Sequence, residues 1–146
     1  MKNISFITLL LLVLASCAGQ HDSTIYSVTD FGATGDGKTD DAAAIQKAID
    51  RCSRNGGGTV LFPAGKRFMA GPIHLKSFVN LHFEPNSMLL ANPDEAVYTE
   101  SAFGDNRGEG MMWLTGKDIE NISITGTGTI DGNGVAFMGK ELDGSY

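Results

Sequence analysis

The chain has 146 residues, with 11 lysines and arginines against 17 aspartates and glutamates, and a formal net charge of −6. This length suits one domain at most, and the acidic balance disfavours nucleic acid and anionic lipid head groups as partners. A polyanionic substrate would need a local basic cleft to overcome the same negative field. Cys17 and Cys52 are the only cysteines, so a disulfide-based scaffold is not expected.

The N-terminus has the features of an export signal. A short positive start precedes the apolar run Ile4–Ala15, which is too short to span a bilayer but suits the centre of a secretory signal. The run ends in Leu-Ala-Ser-Cys, which resembles a bacterial lipoprotein signal that is cleaved before a lipidated Cys17. Residues 1–16 are therefore predicted to be a signal peptide and residues 17–24 a tether, with an ordinary signal peptide as the alternative.

Either signal predicts an exported protein. With lipid on Cys17, we expect an outer-membrane or cell-surface lipoprotein that faces the periplasm or the exterior and touches the membrane only through its anchor. Without lipid, we expect a secreted protein. A monomer is expected in both cases.

A glycine-rich run and one helix begin the domain expected at residues 25–146. Ile25–Phe31 is predicted to be extended, and three glycines within six residues then interrupt the pattern. A helix is predicted at about residues 40–53, with Thr39 or Asp40 as an N-cap worth about 1 kcal/mol. Four apolar residues at i, i+3, i+4 and i+7 give this helix its buried face: Ile45, Ala48, Ile49 and Cys52. Glycines 56–58 are predicted to end it.

Short strands follow from residue 59 onward. Val79, Leu81 and Phe83 alternate with polar residues, as expected of a strand with one buried face. Further strand-like runs are found at residues 59–62, 68–75 with a break at Gly71-Pro72, 88–91, 111–114 and 119–124, and the glycine-containing stretch 126–132 follows. Because no second amphipathic helix can serve as a crossover, a doubly wound parallel sheet is not expected.

The strand spacing favours an all-β solenoid. Strand centres near residues 61, 81 and 123 are separated by about one and two intervals of roughly 20 residues, which suits a parallel β-helix. An antiparallel sandwich fits the spacing almost as well. In the β-helix, the amphipathic helix would cover the apolar end of the first coil.

Residues 30–41, D-F-G-A-T-G-D-G-K-T-D-D, contain a complete phosphate-loop pattern formed by Gly32, Gly37, Lys38 and Thr39. A nucleotide site would need a buried strand before the first glycine, and the residues there are polar. It would also need anion-binding N–H groups at a helix start, where two aspartates would repel phosphate. The run is therefore predicted to be structural, with no bound nucleotide.

The other candidate residues also favour structural roles. Asp40 and Asp41 could suggest acid/base chemistry, but capping and the helix dipole explain both. His74 and His82 are expected to point away from the core, where they could face a sugar but are more simply solvated. Trp113 is expected to pack among apolar neighbours.

Cys52 and Asp131 also have simple structural interpretations. Cys52 is expected to be a core thiol, and Asp131 is expected to be a turn residue. The pattern predicts no catalytic residue, no metal site and no cofactor.

Four segments in order resemble glycoside hydrolase family 28, the polygalacturonases and rhamnogalacturonases. They are D-F-G-A-T-G-D-G-K-T-D-D-A-A-A-I-Q-K-A-I-D, G-G-G-T-V-L-F-P-A-G, G-P-I-H-L-K-S-F-V-N-L-H-F and I-E-N-I-S-I-T-G-T-G-T-I-D-G-N-G. The resemblance covers about residues 28–134. It implies a right-handed, pectin-lyase-like parallel β-helix and hydrolysis, with inversion, of α-linked galacturonate in pectic polysaccharide.

The catalytic motifs of that family have no matching position here, so the resemblance assigns no catalytic residue. Asp40-Asp41 is not the family's catalytic aspartate pair, because it belongs to the start of the helix. We therefore interpret the chain as the N-terminal segment of an exported hydrolase, inactive alone. Two alternatives stay open, namely a non-catalytic polysaccharide-binding β-helix such as an adhesin or tailspike, and a polysaccharide lyase.

Overall fold

The fold consists of short strands arranged in parallel, seen in a computed structural model that describes residues 24–101 and 111–137. The predicted signal peptide, Cys17 and most of the tether lie outside the described residues. The strands are β1 (Ile25–Ser27), β2 (Asp36–Asp40), β3 (Gly58–Phe62), β4 (Arg67–Ala70), β5 (Ile73–His74), β6 (Val79–Phe83), β7 (Met88–Ala91), β8 (Leu114–Thr115), β9 (Ser123–Gly126) and β10 (Thr129–Asp131). The helices are α1 (Ala42–Arg54) and the single-turn α2 (Gly134–Phe137).

Three parallel sheets take their strands from successive passes of the chain. Sheet A has the order β1-β3-β6-β9, sheet B has β10-β7-β4-β2, and sheet C pairs β5 with β8. In sheet A, Val60 lies opposite Leu81, which lies opposite Ile124, so the chain returns to one position after 21 and then 43 residues. Every pairing between these strands is parallel. This is the arrangement of a parallel β-helix, and it excludes the antiparallel sandwich for the described residues.

The core is built from inward side chains that stack from one coil to the next. Phe62 lies opposite Phe83 in sheet A, with stacked ring centroids 4.2 Å apart. Phe68 meets Phe62 edge-on at 5.5 Å and lies opposite Leu89 in sheet B. Phe62, Phe68 and Leu89 are fully buried. Stacked aromatic pairs of this kind contribute roughly 0.5–1.5 kcal/mol beyond the surface that they bury.

Helix α1 buries the predicted face, since Ile45, Ala48, Ile49 and Cys52 are all inaccessible to solvent. The side chain of Gln46 fastens the helix to β5. Its Nε2 donates to the carbonyl of His74 at 3.0 Å, and its Oε1 accepts from the N–H of His74 at 2.8 Å. This amide therefore makes the two hydrogen bonds that a neighbouring strand would make.

The start of the helix differs from the prediction. The N-cap is Asp41 rather than Thr39 or Asp40, and Asp36–Asp40 forms strand β2 beside β4. Four of the five residues of β2 are exposed, so no apolar alternation marks this strand in the sequence. The hydrogen bonds of the neighbouring strand, rather than burial, define β2.

The T-G-T-G-T motif at residues 125–129 makes a tight turn against the preceding coil. Gly126 has φ +102°, a conformation that favours glycine, and a Cβ at this position would collide with the backbone of Phe83. A Cβ on Gly128 would collide with the buried Ser87. Both glycines are therefore required by the close approach of two coils.

Candidate functional site: an aromatic cavity

A cavity of about 510 Å³ opens where β7 and β10 end. A volume of this size can hold a small ligand. The described residues that line it are mostly aromatic or apolar, with a single carboxylate: Ala91, Glu95, Tyr98, Met111, Trp113, Gly132 and Phe137. We call it the aromatic cavity.

Local turn chemistry brings these residues together. After β7, Asn92 and Asp94 form successive turns, in which Asn92 Oδ1 accepts from the N–H of Asp94 and Asp94 Oδ1 accepts from the N–H of Ala96, each at 3.0 Å. A short 3-10 turn, Glu95–Val97, follows and leads into Tyr98. The next pass of the chain adds Gly132 and α2 on the opposite side. Residues 41 positions apart, such as Leu90 and Asp131, are thereby placed side by side.

Tyr98 forms the fixed wall of the cavity. Its side chain is buried, its hydroxyl donates to the backbone carbonyl of Asn92 at 2.8 Å, and its ring meets Phe137 edge-on at 5.8 Å. Burial raises the pKa of the Tyr98 phenol, the negative charge of Asp40 raises it further, and the hydrogen bond to Asn92 partly opposes both. Tyr98 therefore stays neutral at physiological pH and contributes an oriented aromatic ring.

Trp113 both packs and lines the cavity. Its indole Nε1 donates to the carbonyl of Ala70 at 3.0 Å, and the half-buried ring packs against the core. The sequence-based expectation of packing describes only part of this arrangement. Because the N–H is already bonded to the backbone, Trp113 offers a ligand aromatic surface rather than a hydrogen-bond donor.

Glu95 is the only carboxylate among the described lining residues, and its side chain is exposed. None of those residues is a lysine, arginine or histidine. An aromatic cavity with one carboxylate can stack the apolar face of a sugar ring and accept hydrogen bonds from sugar hydroxyls. This arrangement suits carbohydrate binding.

Asp41 occupies a different environment from the one predicted. Its carboxylate is almost fully buried and accepts from the N–H groups of Thr34 at 2.7 Å and Gly35 at 3.0 Å, with no cap bond to the helix. Asp40 accepts from the N–H of Ala42 at 2.8 Å and from Nδ2 of Asn92 at 2.7 Å. Both carboxylates have structural roles, but the capping bond predicted from the sequence is not made by Asp41.

The phosphate-loop pattern does not form an anion site. Asp36 Oδ1 accepts from the N–H groups of Lys38 and Thr39, each at 2.8 Å, and Asp36 Oδ2 accepts from the hydroxyl of Thr39 at 2.9 Å. The donors that would cradle a phosphate are thus already bonded to a carboxylate. These backbone hydrogen bonds also lower the pKa of the Asp36 carboxyl.

The two histidines lie on strands and point away from the core, partly exposed. His74 Nδ1 lies 3.0 Å from the hydroxyl of Thr115, and His82 Nδ1 lies 2.9 Å from the hydroxyl of Thr125. Each pair joins one coil to the next on the outer surface. Neither histidine lines the aromatic cavity.

Cys52 is a buried thiol, and burial raises its pKa, so it is unsuited to act as a nucleophile. Asp131 ends β10 and accepts from the N–H of Asn133 at 2.8 Å, which is the turn role expected for it. Within residues 24–101 and 111–137, no three histidine, cysteine, aspartate or glutamate side chains form a group that could hold a metal ion.

Three lining residues were not identified from the sequence, namely Glu95, Tyr98 and Phe137. For Tyr98 and Phe137 the strongest sequence signal is that an aromatic residue follows a strand in a polar stretch, where no core position explains it. That signal is weak on its own, because only the return of the chain 41 residues later brings the two halves of the cavity together.

The sequence pattern of the family described as rhamnogalacturonase A/epimerase, pectate lyase-like, matches residues 25–138. The chain belongs to this family. The resemblance to polygalacturonases and rhamnogalacturonases is thereby confirmed.

Individual relatives include both enzymes and a binding protein. The chain is 38% identical over 122 residues to the polygalacturonase ADPG1 of Arabidopsis thaliana, a match that covers 77% of this chain and 25% of that protein. It is 37% identical over 121 residues to the plasmin and fibronectin-binding protein A of Streptococcus pneumoniae, covering 79% of this chain and 16% of that protein.

A solved structure gives the same picture. The hyperthermoactive exopolygalacturonase from Thermotoga maritima superposes with a TM-score of 0.65 at 34% identity, covering 75% of this chain and 25% of that one. The chain therefore spans about a quarter or less of the length of these relatives. Among the described residues of this family member, no helix has the length and apolar character needed to cross a membrane.

Proposed function

We propose that this chain works as a sugar-binding section of a glycoside hydrolase that cleaves α-linked galacturonate-containing polysaccharide by acid/base catalysis with inversion. The observation that carries the proposal is the aromatic cavity, located at the ends of parallel strands in a member of the rhamnogalacturonase family. The polygalacturonase and exopolygalacturonase relatives support the class of reaction.

Inverting hydrolysis needs two carboxyl groups about 6.5–9.5 Å apart, one to protonate the leaving oxygen and one to activate water. Asp36, Asp40 and Asp41 are poor candidates, because each accepts hydrogen bonds from backbone N–H groups that hold the fold. We therefore propose that this section binds and orients the polysaccharide, while the catalytic carboxylates come from another part of the protein.

The test is a comparison of two preparations on polygalacturonate. Residues 17–146 alone are expected to release no reducing ends, whereas a protein that contains this section within a full-length hydrolase should release them with inverted anomeric configuration, measured by proton NMR. Measurable hydrolysis by residues 17–146 would contradict the proposal that the catalytic carboxylates come from another part of the protein. An unsaturated uronide product from the full-length protein would indicate a lyase instead.

A second candidate function is polysaccharide or protein binding without catalysis. The observation that favours it is the similarity to the plasmin and fibronectin-binding protein A of Streptococcus pneumoniae. The two candidates differ in turnover, because a binding protein would retain polysaccharide on an affinity gel while releasing no product from it over many hours.

We also propose that the protein is exported and anchored through lipid on Cys17. Labelled palmitate should be incorporated into the protein produced in a bacterial host, and Cys17→Ser should abolish both labelling and membrane association. Labelled, membrane-associated Cys17→Ser protein would contradict this assignment. Cys52→Ala is the control, and it should keep both the labelling and the membrane association, because Cys52 is buried in the core.

We further propose that α1 caps the first coil of a right-handed β-helix. Gln46 supports this role, since its amide replaces the strand that would otherwise pair with β5. Gln46→Met keeps the length of the side chain but removes both hydrogen bonds to His74 and a further one to Asp50, so it should lower the free energy of unfolding by about 2 kcal/mol. Lys47→Met, on the neighbouring position, should change it by less than about 0.5 kcal/mol. Equal effects in urea titrations would contradict the capping role.

A further inference from the structure

The exposed face of α1 carries positive charge, although the net charge of the chain is −6. Lys47, Arg51 and Arg54 are spaced at i, i+4 and i+7, so they share one side of the helix, and all three are exposed. Arg51 and Arg54 belong to the last turn, where a cation also offsets the helix dipole. Lys47 lies further from that end, so the dipole does not explain the whole row.

Beside the end of this row lies a hollow of about 340 Å³, which we call the basic hollow. The described residues that line it are Asp50, Ser53, Arg54 and Lys76, so two cations accompany one carboxylate. The carboxylate of Asp50 accepts a hydrogen bond from the amide of Gln46 at 3.0 Å, and among the described residues neither cation is paired with it. Arginine and lysine are the side chains that bind carboxylate ligands, arginine through two parallel N–H bonds.

Phe78 places a partly exposed aromatic residue next to the basic hollow. It follows Ser77, whose carbonyl accepts from the hydroxyl of Ser53 in the hollow at 3.3 Å. Phe78 has φ +64°, in the left-handed region, and 48% of its surface is exposed. Gly57 and Asn121 occupy the same corner in the neighbouring coils, also with positive φ, and both residue types adopt this conformation at lower cost.

A phenylalanine at this corner is therefore strained, and its burial is too incomplete to offset that strain in full. Strain that persists at an exposed position points to a function for the side chain. An aromatic ring can stack on the C–H face of a sugar, while neighbouring cations bind its carboxylate. Phe78 and the basic hollow together offer the two kinds of contact that a uronate needs.

Two carboxylates adjoin the same region. Asp50 lines the hollow, and Glu120 is joined to it through the hydrogen bond of its N–H to Ser77 Oγ at 3.1 Å. Four cations accompany them, namely the three of the helix row and Lys76, so the region keeps a positive balance. A region of this sign is what a polyanionic ligand requires on an acidic chain.

We propose that the basic hollow, the cationic row of α1 and Phe78 form a second binding surface, which holds uronate units of an anionic polysaccharide. This surface shares no lining residue with the aromatic cavity. The inference rests on the proposed function, which supplies the polysaccharide. Two separate contacts along one polymer increase the affinity for long chains over short ones.

The experiment measures binding of the 146-residue chain to immobilised oligogalacturonate, with the methyl ester of the same oligosaccharide as the neutral reference. In about 20 mM sodium chloride, we expect the acid to bind about tenfold more tightly than the ester. In about 500 mM sodium chloride the preference should disappear, because salt screens exposed charges. Equal binding of the acid and the ester at low salt would overturn the proposal.

Arg54→Gln combined with Lys76→Gln should weaken binding of oligogalacturonate about tenfold. Lys38→Gln combined with Arg67→Gln is the matched control, since it removes one lysine and one arginine from β2 and β4 and should change the affinity by less than about twofold. All four side chains are exposed, so the circular dichroism should stay unchanged in both variants. Equal weakening by the two pairs would mean that only net charge matters and would contradict the location.

Phe78→Asn separates binding from folding. Asparagine adopts the left-handed conformation more readily than phenylalanine, so this variant should not lower the urea midpoint. Loss of the ring should nevertheless weaken binding of both the acid and the ester about fivefold. A lower midpoint with unchanged binding would show that the ring serves the fold alone.

Vesicles of anionic phospholipid test a different occupant. If Arg54→Gln with Lys76→Gln removed vesicle binding and left oligogalacturonate binding intact, the surface would belong to a membrane and the proposal would fail. The proposed function fails on a different result. A full-length protein that releases no product from polygalacturonate, yet binds it through Arg54 and Lys76, would lose the hydrolase assignment and keep this surface.

Discussion

Two corners of this molecule contain carboxylates and use them in opposite ways. In the first corner, formed by residues 34–42, Asp36, Asp40 and Asp41 all accept hydrogen bonds from backbone N–H groups. In the second corner, the aromatic cavity, Glu95 is exposed and accompanied by aromatic rings whose own donors are bonded to the backbone. The carboxylates of the first corner hold the backbone in place, so binding a ligand through them would disturb the fold. The functional surface is therefore expected at the second corner.

The largest expected effect tests the first corner. Asp41→Asn should lower the free energy of unfolding by about 3 kcal/mol, because an amide can accept only one of the two N–H groups and would direct its own NH₂ at the other. Chemical denaturation followed by circular dichroism measures this loss.

Asp30→Asn is the matched control for Asp41→Asn. Asp30 belongs to the same motif but is exposed, so its substitution should change the stability by less than about 0.5 kcal/mol. If Asp41→Asn were as stable as the control and instead abolished binding of a sugar, the ligand would bind at the first corner rather than in the aromatic cavity.

A smaller effect tests the wall of the cavity. Tyr98→Phe removes the hydroxyl that donates to Asn92 and should cost about 1 kcal/mol of stability. Because that hydroxyl is bonded to the backbone, binding of a sugar should change by less than about twofold. A large loss of affinity with unchanged stability would indicate that the hydroxyl contacts the ligand.

The sequence predicted the parts of the fold that are locally periodic. Val79, Leu81 and Phe83 alternate because the same face of β6 is buried along its whole length, and the spacing of 21 residues between coils repeats that pattern. Strand β2 was missed for the opposite reason. Residues 36–40 have no buried face, and only their pairing with β4 makes them a strand.

The candidate site could not be predicted in the same way. Trp113 looked like a packing residue because its neighbours are apolar, and it does pack. Tyr98 and Phe137 lie 39 positions apart in the sequence, and their ring contact at 5.8 Å depends on two coils being stacked in register. A local pattern carries no information about such a contact, so the cavity emerges only from the assembled fold.

The smallest expected effect is the pH-dependent contribution of Asp36, an exposed carboxylate of the first corner, to the stability of the fold. Its pKa is lowered from 3.8 by the backbone hydrogen bonds of Thr39 and Lys38. A carboxyl whose pKa is lower in the folded state contributes stability above its unfolded pKa and loses that contribution as the pH falls through its folded pKa. The stabilising contribution of Asp36 is therefore expected to be complete above about pH 5 and to disappear below pH 3.8.

Asp36→Asn keeps an oxygen that can accept from Lys38 and Thr39, and it removes the titration. Urea midpoints measured from pH 7 to pH 3 should fall less steeply for this variant than for the unmodified chain, with the difference confined to the acidic end. Glu120→Gln, which removes an equally exposed carboxylate without backbone partners among the described residues, should leave the slope unchanged. Parallel curves for Asp36→Asn and the unmodified chain would mean that the charge of Asp36 does not contribute to stability. The stability of the first corner would then depend on the buried Asp41.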